Sequence, residues 1–128
     1  MAHDFSLNRR TLLKGAGALG LLGATAGLPL RRALAAGKLT VGFIYVGPRD
    51  DFGYNQAHAQ GAAAVKAAFP NVTVLEEENV PETIEVQKTI ESMINLDGAE
   101  LIFPTSFGYY DPHVMKMAEK YPDVTFLH

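Results

Sequence analysis

The sequence predicts an α/β protein with a parallel β-sheet and helices on both faces. Short apolar, β-branched runs alternate with segments of helical periodicity throughout residues 37–128. Each connection is long enough for a crossover helix, and no hairpin turn pattern joins two strands directly. The predicted order is therefore β-α-β-α-β-α-β with right-handed crossovers.

The first strand and helix are predicted within residues 39–69. Residues 39–46 form a nearly continuous apolar run, which is typical of a strand buried on both faces, and Gly47-Pro48 ends it. Residues 54–69 then show helical spacing. The residues that we expect on the sheet-facing side of this helix are Ala57, Gly61, Ala64, Val65 and Ala68.

A second strand, a second helix and a third strand are predicted within residues 72–104. Residues 72–75 form a short apolar strand. Pro81 is suited to the first turn of the following helix, because its missing N–H costs nothing there. The third strand is predicted at residues 101–104. The apolar face of the second helix is expected to contain Val86, Ile90, Met93 and Ile94.

The third helix is predicted to begin at Asp111-Pro112. Asp111 is a suitable N-cap, and a proline is favoured at the first helical position. Residues 124–127 are predicted to form a fourth strand. The apolar stripe of the helix would contain Val114, Met117, Ala118 and Tyr121.

Residues 1–36 are predicted to be a twin-arginine signal peptide. Arg9-Arg10 begins a basic segment that resembles the twin-arginine consensus, and a mildly apolar run follows over residues 15–30. The alternative is an amphipathic or transmembrane helix, but this run is shorter than the roughly 20 residues that a membrane span needs. We predict cleavage near Ala35 or Ala36, leaving residues 37–128 as an incomplete N-terminal lobe in the periplasm.

Charge and composition exclude several function classes. The predicted leader holds five of the eleven Lys and Arg and one of the fourteen acidic residues, so residues 37–128 carry a net charge of −7. A surface of this charge repels phosphate backbones, and we expect no nucleic-acid partner. The sequence contains no cysteine, so a lipoprotein anchor, disulfides and thiolate metal sites are excluded. The four histidines do not cluster, and we predict no metal and no cofactor.

Ligand-binding loops in a parallel sheet follow the carboxyl ends of the strands. Three segments qualify: residues 47–56, 76–80 and 105–111. The first contains Asp51, Tyr54 and Asn55, which offer a carboxylate, an aromatic face and an amide to a polar ring. The alternative for this segment is a helix cap, in which Asp51 serves the first turn and Tyr54 packs inward.

The segment 105–111 is unusual because two hydroxyls and three aromatic side chains share one loop. Aromatic rings there could stack on a planar ligand while Ser106 donates a hydrogen bond. Asp111 has the competing role of N-cap. The glutamates of residues 76–78 are predicted to be a solvated turn. No phosphate-binding loop, nucleophile elbow or pair of catalytic carboxylates is present, so nothing specifies an enzyme.

The segments VGPRDDFGYN at residues 46–55, PTSFGYYDP at 104–112 and KYPDV at 120–124 resemble the BMP family. These are basic membrane protein, or purine nucleoside receptor-like, substrate-binding proteins of ABC transporters with a type I periplasmic-binding fold. The resemblance implies that Asp51 and Asn55 contact polar groups of the ligand and that Tyr54 lies near its ring. It also implies that the segment after the third strand, residues 105–111, lines the same cleft, with contacts expected from Ser106, Tyr109 and Asp111.

The leading hypothesis is capture of a nucleoside or related purine compound for an ABC transporter permease, without enzymatic activity. A sugar, an acyl compound or a signalling molecule, and a sensor role, remain open. The alternative from another class is a twin-arginine-exported, flavodoxin-like redox domain. Because members of the family have two lobes, we expect the chain to be a fragment of a longer protein; a protein that truly ends at His128 is the alternative. The only expected membrane contact is through an uncleaved signal peptide.

Overall fold

The computed structural model describes residues 37–128, and the predicted signal peptide lies outside them. The strands are β1 (Leu39–Ile44), β2 (Val72–Glu77), β3 (Leu101–Pro104) and β4 (Thr125–Phe126). The α-helices are α1 (Tyr54–Ala68), α2 (Ile84–Asn95) and α3 (Met115–Lys120). The predicted alternation of strands and helices is confirmed.

All strand pairs in the sheet are parallel, in the order β2-β1-β3-β4. Strand β1 lies in the middle, pairing from Leu39↔Val72 to Ile44↔Glu77 on one side and from Val41↔Leu101 to Ile44↔Pro104 on the other. The chain moves outward from β1 first to β2 and then, through α2, to β3 and β4. As a result, the loops that follow β1 and β3 lie next to each other at one edge of the sheet.

The two faces of β1 are buried in two separate hydrophobic clusters. Side chains of successive strand residues point to opposite faces. Accordingly, Val41 and Phe43 pack in one cluster with Ala62 of α1, whereas Ile44 packs in the other with Ile90 of α2. The sheet is thus covered on both sides, as the continuous apolar run of β1 predicts.

The predicted sheet-facing side of α1 was wrong. The structure buries Asn55 and Ala62, with Ala59 packed against the same cluster. Ala57 and Gly61 are exposed. Alanine and glycine occur on every side of this helix, so its apolar periodicity is too weak to identify the buried side.

Two helix starts also differ from the prediction. Helix α2 begins at Ile84 rather than at Pro81, because the Thr83 side chain caps it by accepting a hydrogen bond from the Glu85 N–H at 3.3 Å. Residues 107–114 form one 3₁₀ turn and one π turn before α3 begins. Asp111 has extended backbone angles there, and its side chain caps no helix within residues 37–128.

Candidate functional site

The loops after β1, β2 and β3 meet at the carboxyl edge of the sheet. The Val80 N–H donates to the Tyr45 carbonyl at 3.0 Å, which joins the first loop to the second. Thr105 joins the third loop to β1, because its N–H and its hydroxyl both donate to the Ile44 carbonyl, at 3.0 and 2.9 Å. The rings of Tyr54 and Phe107 stack across the first and third loops, with centroids 6.3 Å apart.

Asp51 caps the N-terminus of α1. Its Oδ1 accepts from the N–H groups of Gly53 and Gln56, at 2.9 and 3.0 Å. Its Oδ2 accepts from the backbone and side-chain N–H groups of Asn55, at 3.1 and 2.8 Å. The hydrogen bond from Gln56, followed by the others, lowers the pKa of Asp51 to about 2. The capping role that the sequence left open for Asp51 accounts for all of these contacts.

Asn55 is buried beneath this cap, with 6% of its surface exposed. Its Nδ2 donates to Asp51, but its buried Oδ1 has no hydrogen-bond partner among the described residues. Gly47 allows this arrangement, because a Cβ at that position would lie 2.8 Å from the Asn55 Nδ2. A buried acceptor without a donor is costly, so this oxygen is suited to a donor supplied from outside the chain.

Tyr54 and Phe107 border a groove of about 350 Å³ at this edge. Both rings are accessible, since Tyr54 is 47% and Phe107 84% exposed. We call this pair the aromatic platform. The floor of the groove contains Phe103 and Thr105, and the two histidines that line it are His58 and His128. His58 packs edge-on against Tyr54, with ring centroids 4.6 Å apart.

The three predicted residues of the last loop occupy different environments. Ser106 is buried and donates from its Oγ to the Glu82 carboxylate. Asp111 is exposed. The structure does not support a ligand contact for Tyr109. Its side chain is completely buried in the hydrophobic cluster that contains Ile44 and Ile90, which we call the α2-side cluster, and its hydroxyl donates to the Val80 carbonyl at 2.5 Å. Burial of that hydroxyl raises the pKa of Tyr109.

The prediction that residues 76–78 form a solvated turn was wrong: Glu76 and Glu77 belong to strand β2, and Glu76 is also partly buried. Its side chain is only 13% exposed and lies within 3.4 Å of Arg49 and 3.2 Å of Lys66. The Tyr45 hydroxyl also donates to it at 3.0 Å, and burial together with this hydrogen bond raises the pKa of Tyr45. Arg49 binds Glu78 as well, at 3.1 Å. These contacts fasten the first loop to the end of β2.

Residues 37–128 contain neither a metal-binding cluster nor a membrane-spanning helix. No group of three or more His, Cys, Asp or Glu side chains is arranged to hold a metal ion in this range. None of the helices described for the same residues is long and apolar enough to cross a membrane.

Residues 38–128 match the family model described as ABC transporter substrate-binding protein PnrA-like. The chain belongs to this family. Membership places the chain in a family of substrate-binding proteins and not among the flavodoxin-like redox domains that the sequence left open. The resemblance to the BMP family is thereby confirmed.

Relatives of this PnrA-like chain agree with the family assignment. A purine-binding protein of Brucella abortus (strain 2308) is 45% identical over 97 residues, which cover 75% of this chain. The chain spans 27% of the length of that relative.

Solved structures agree with the predicted fold. A solute-binding protein of an ABC transporter system from Conexibacter woesei DSM 14684 aligns with a TM-score of 0.57 at 20% identity, over 69% of this chain and 28% of that one. A second such protein, from Aeropyrum pernix K1, aligns with the same TM-score at 23% identity, over 69% of this chain and 23% of that one. At these identities the likeness concerns the fold.

Proposed function

We propose that this PnrA-like chain provides one wall of a cleft that captures a purine base or nucleoside for an ABC transporter. The observation that carries the proposal is the aromatic platform at the carboxyl edge of the sheet. Asn55, which follows Tyr54 in the sequence, adds a buried Oδ1 without a partner among the described residues. An exposed aromatic face provides stacking for a planar ring, and a fixed acceptor oxygen provides a partner for an N–H or O–H group. The purine-binding relative supports a purine over a sugar or an acyl compound.

Four of the six predicted residues have a proposed role in this cleft, and none is proposed for the buried Tyr109. Tyr54 stacks on the base, Asn55 accepts a hydrogen bond from the ligand, and Ser106 orients the neighbouring carboxylate. Asp51 acts indirectly, by holding Asn55 and the start of α1 in place. Asp111 stays a predicted contact without a partner assigned.

A single wall of this kind encloses only part of a solute. Binding sites for small molecules usually bury most of the ligand surface, and hinged proteins achieve this by closing two domains. We infer that the opposite wall belongs to a second lobe, with the permease as transport partner. Export through the twin-arginine route and a periplasmic location complete the proposal.

The test is isothermal titration calorimetry on the gene product expressed at its full genomic length, with a panel of purine bases and nucleosides. Loss of one stacking ring costs about 1–3 kcal/mol per base. We therefore expect Tyr54→Ala and Phe107→Ala each to weaken binding by about 5- to 150-fold. Phe69→Ala is the matched control, because Phe69 is also exposed but follows α1 at the opposite edge of the sheet. No heat from any purine, or equal losses in all three variants, would refute the proposal.

A further inference from the structure

The Glu82 carboxylate is fixed at the carboxyl edge by two donors from the loop after β3. Ser106 Oγ and the Gly108 N–H both donate to its Oε1, the second at 3.2 Å. Phe107, one ring of the aromatic platform, lies between these two donors in the sequence. Glu82 itself precedes α2 and is exposed. The loop that carries Phe107 therefore also orients this carboxylate.

Gly108 provides the space that this arrangement needs. A Cβ at position 108 would lie 2.3 Å from the Glu82 Cδ and 2.5 Å from each of its carboxylate oxygens. Carbon atoms do not approach a carboxylate so closely, so a larger residue would displace Glu82. The backbone of the loop is thus shaped to receive the carboxylate.

Half of the hydrogen-bonding capacity of Glu82 is unused. An ionised carboxylate has about four acceptor sites and no donor, and the two protein donors occupy those of Oε1. Within residues 37–128, Glu82 forms no ion pair with a Lys or Arg, which it shares with Glu77, Glu100 and Glu119 and which distinguishes it from the other four glutamates. The Oε2 of Glu82 is therefore available to a donor that comes from the solution.

We propose that Glu82 Oε2 accepts hydrogen bonds from N–H groups on the edge of the bound base, and so selects purines that present donors at that edge. The inference rests on the proposed function, because it takes a purine on the aromatic platform as its starting point. A carboxylate attracts an N–H or amino group and repels a carbonyl oxygen, since it accepts hydrogen bonds and cannot donate them. The residue would therefore determine specificity within the purine class, while the platform supplies stacking that all purines share.

The experiment compares matched purines on the full-length gene product and on Glu82→Gln. The probes are adenine and guanine, each paired with an analogue whose amino group carries two methyl groups and donates no hydrogen bond. Glutamine keeps the size of the side chain and an oxygen for Ser106 and Gly108. Glu85→Gln is the control, because Glu85 lies in the first turn of α2 and pairs with Lys88 at the surface.

We expect the wild type and Glu85→Gln to bind at least one amino purine about 10- to 100-fold more tightly than its dimethylated analogue. In Glu82→Gln we expect that ratio to fall at least fivefold, through weaker binding of the amino purine. An unchanged ratio, or an equal loss for both members of a pair, would overturn the role of Glu82 and leave purine capture standing. If none of the four compounds binds to the wild type, both proposals are overturned.

Discussion

Removal of the Tyr45 hydroxyl tests how the first loop is fastened to the sheet. In Tyr45→Phe the completely buried ring is kept, and only the 3.0 Å hydrogen bond to Glu76 is lost. A hydrogen bond to a charged group contributes about 1.5–3 kcal/mol. Because Glu76 retains Arg49 and Lys66, no unpaired charge is left behind, and we expect the lower end, about 1.5 kcal/mol.

The measurement is urea denaturation of residues 37–128 followed by circular dichroism. With a slope of about 1 kcal/mol per M of urea, the midpoint should fall by about 1.5 M. Tyr121→Phe is the matched control: its hydroxyl binds Asn95 at an exposed position, and the expected loss is below about 0.5 kcal/mol. In a Glu76→Ala background, Tyr45→Phe should cost almost nothing. An equal loss of unfolding free energy in both backgrounds would show that the hydrogen bond to Glu76 is not the cause of the destabilisation.

Two further predictions concern the Asp51 cap of α1 and the packing of Ile90 in the α2-side cluster. The lowered pKa of Asp51 means that its contribution to stability is complete above its ordinary pKa of 3.8 and is lost as the pH falls toward about 2. The acid-unfolding curve of Asp51→Asn, measured by circular dichroism, should lack the loss of stability that the wild type shows between pH 3.8 and about pH 2. A curve parallel to that of the wild type would contradict the capping role. Ile90→Ala should cost about 2–5 kcal/mol, because Ile90 is completely buried, whereas Ile84→Ala at the exposed start of α2 should cost much less. Equal urea midpoints for these two variants would show that the α2-side cluster is packed differently.

The order of strands and helices could be predicted from the sequence because it follows from local patterns and does not depend on contacts between distant residues. The apolar run of β1 and the spacing of Val86, Ile90 and Met93 are local patterns, and both were confirmed. The buried side of α1 could not be predicted, because alanines and glycine surround that helix and provide no apolar contrast. The start of α2 was missed because Pro81 and Thr83 are both suitable near a helix N-terminus, and the side-chain cap of Thr83 decides between them.

The candidate site was only partly predictable for a related reason. The sequence identified the loops after β1 and β3, since strand ends follow from strand positions. It gave no indication of the contacts of Glu82, whose partners Ser106 and Gly108 lie 24 and 26 residues away. Tyr109 was expected in the cleft because its loop is rich in aromatic residues, yet the turns after β3 direct it into the core beneath Val80. Composition alone does not reveal which ring of such a loop points outward.

The two hydrogen bonds from Thr105 to the Ile44 carbonyl have a consequence for binding kinetics. They hold the loops after β1 and β3 together at one point, so a solute that binds as proposed would find its partners already in place. Little configurational freedom is then lost during the encounter. Competing solutes should consequently associate at similar speeds and differ in how long they stay.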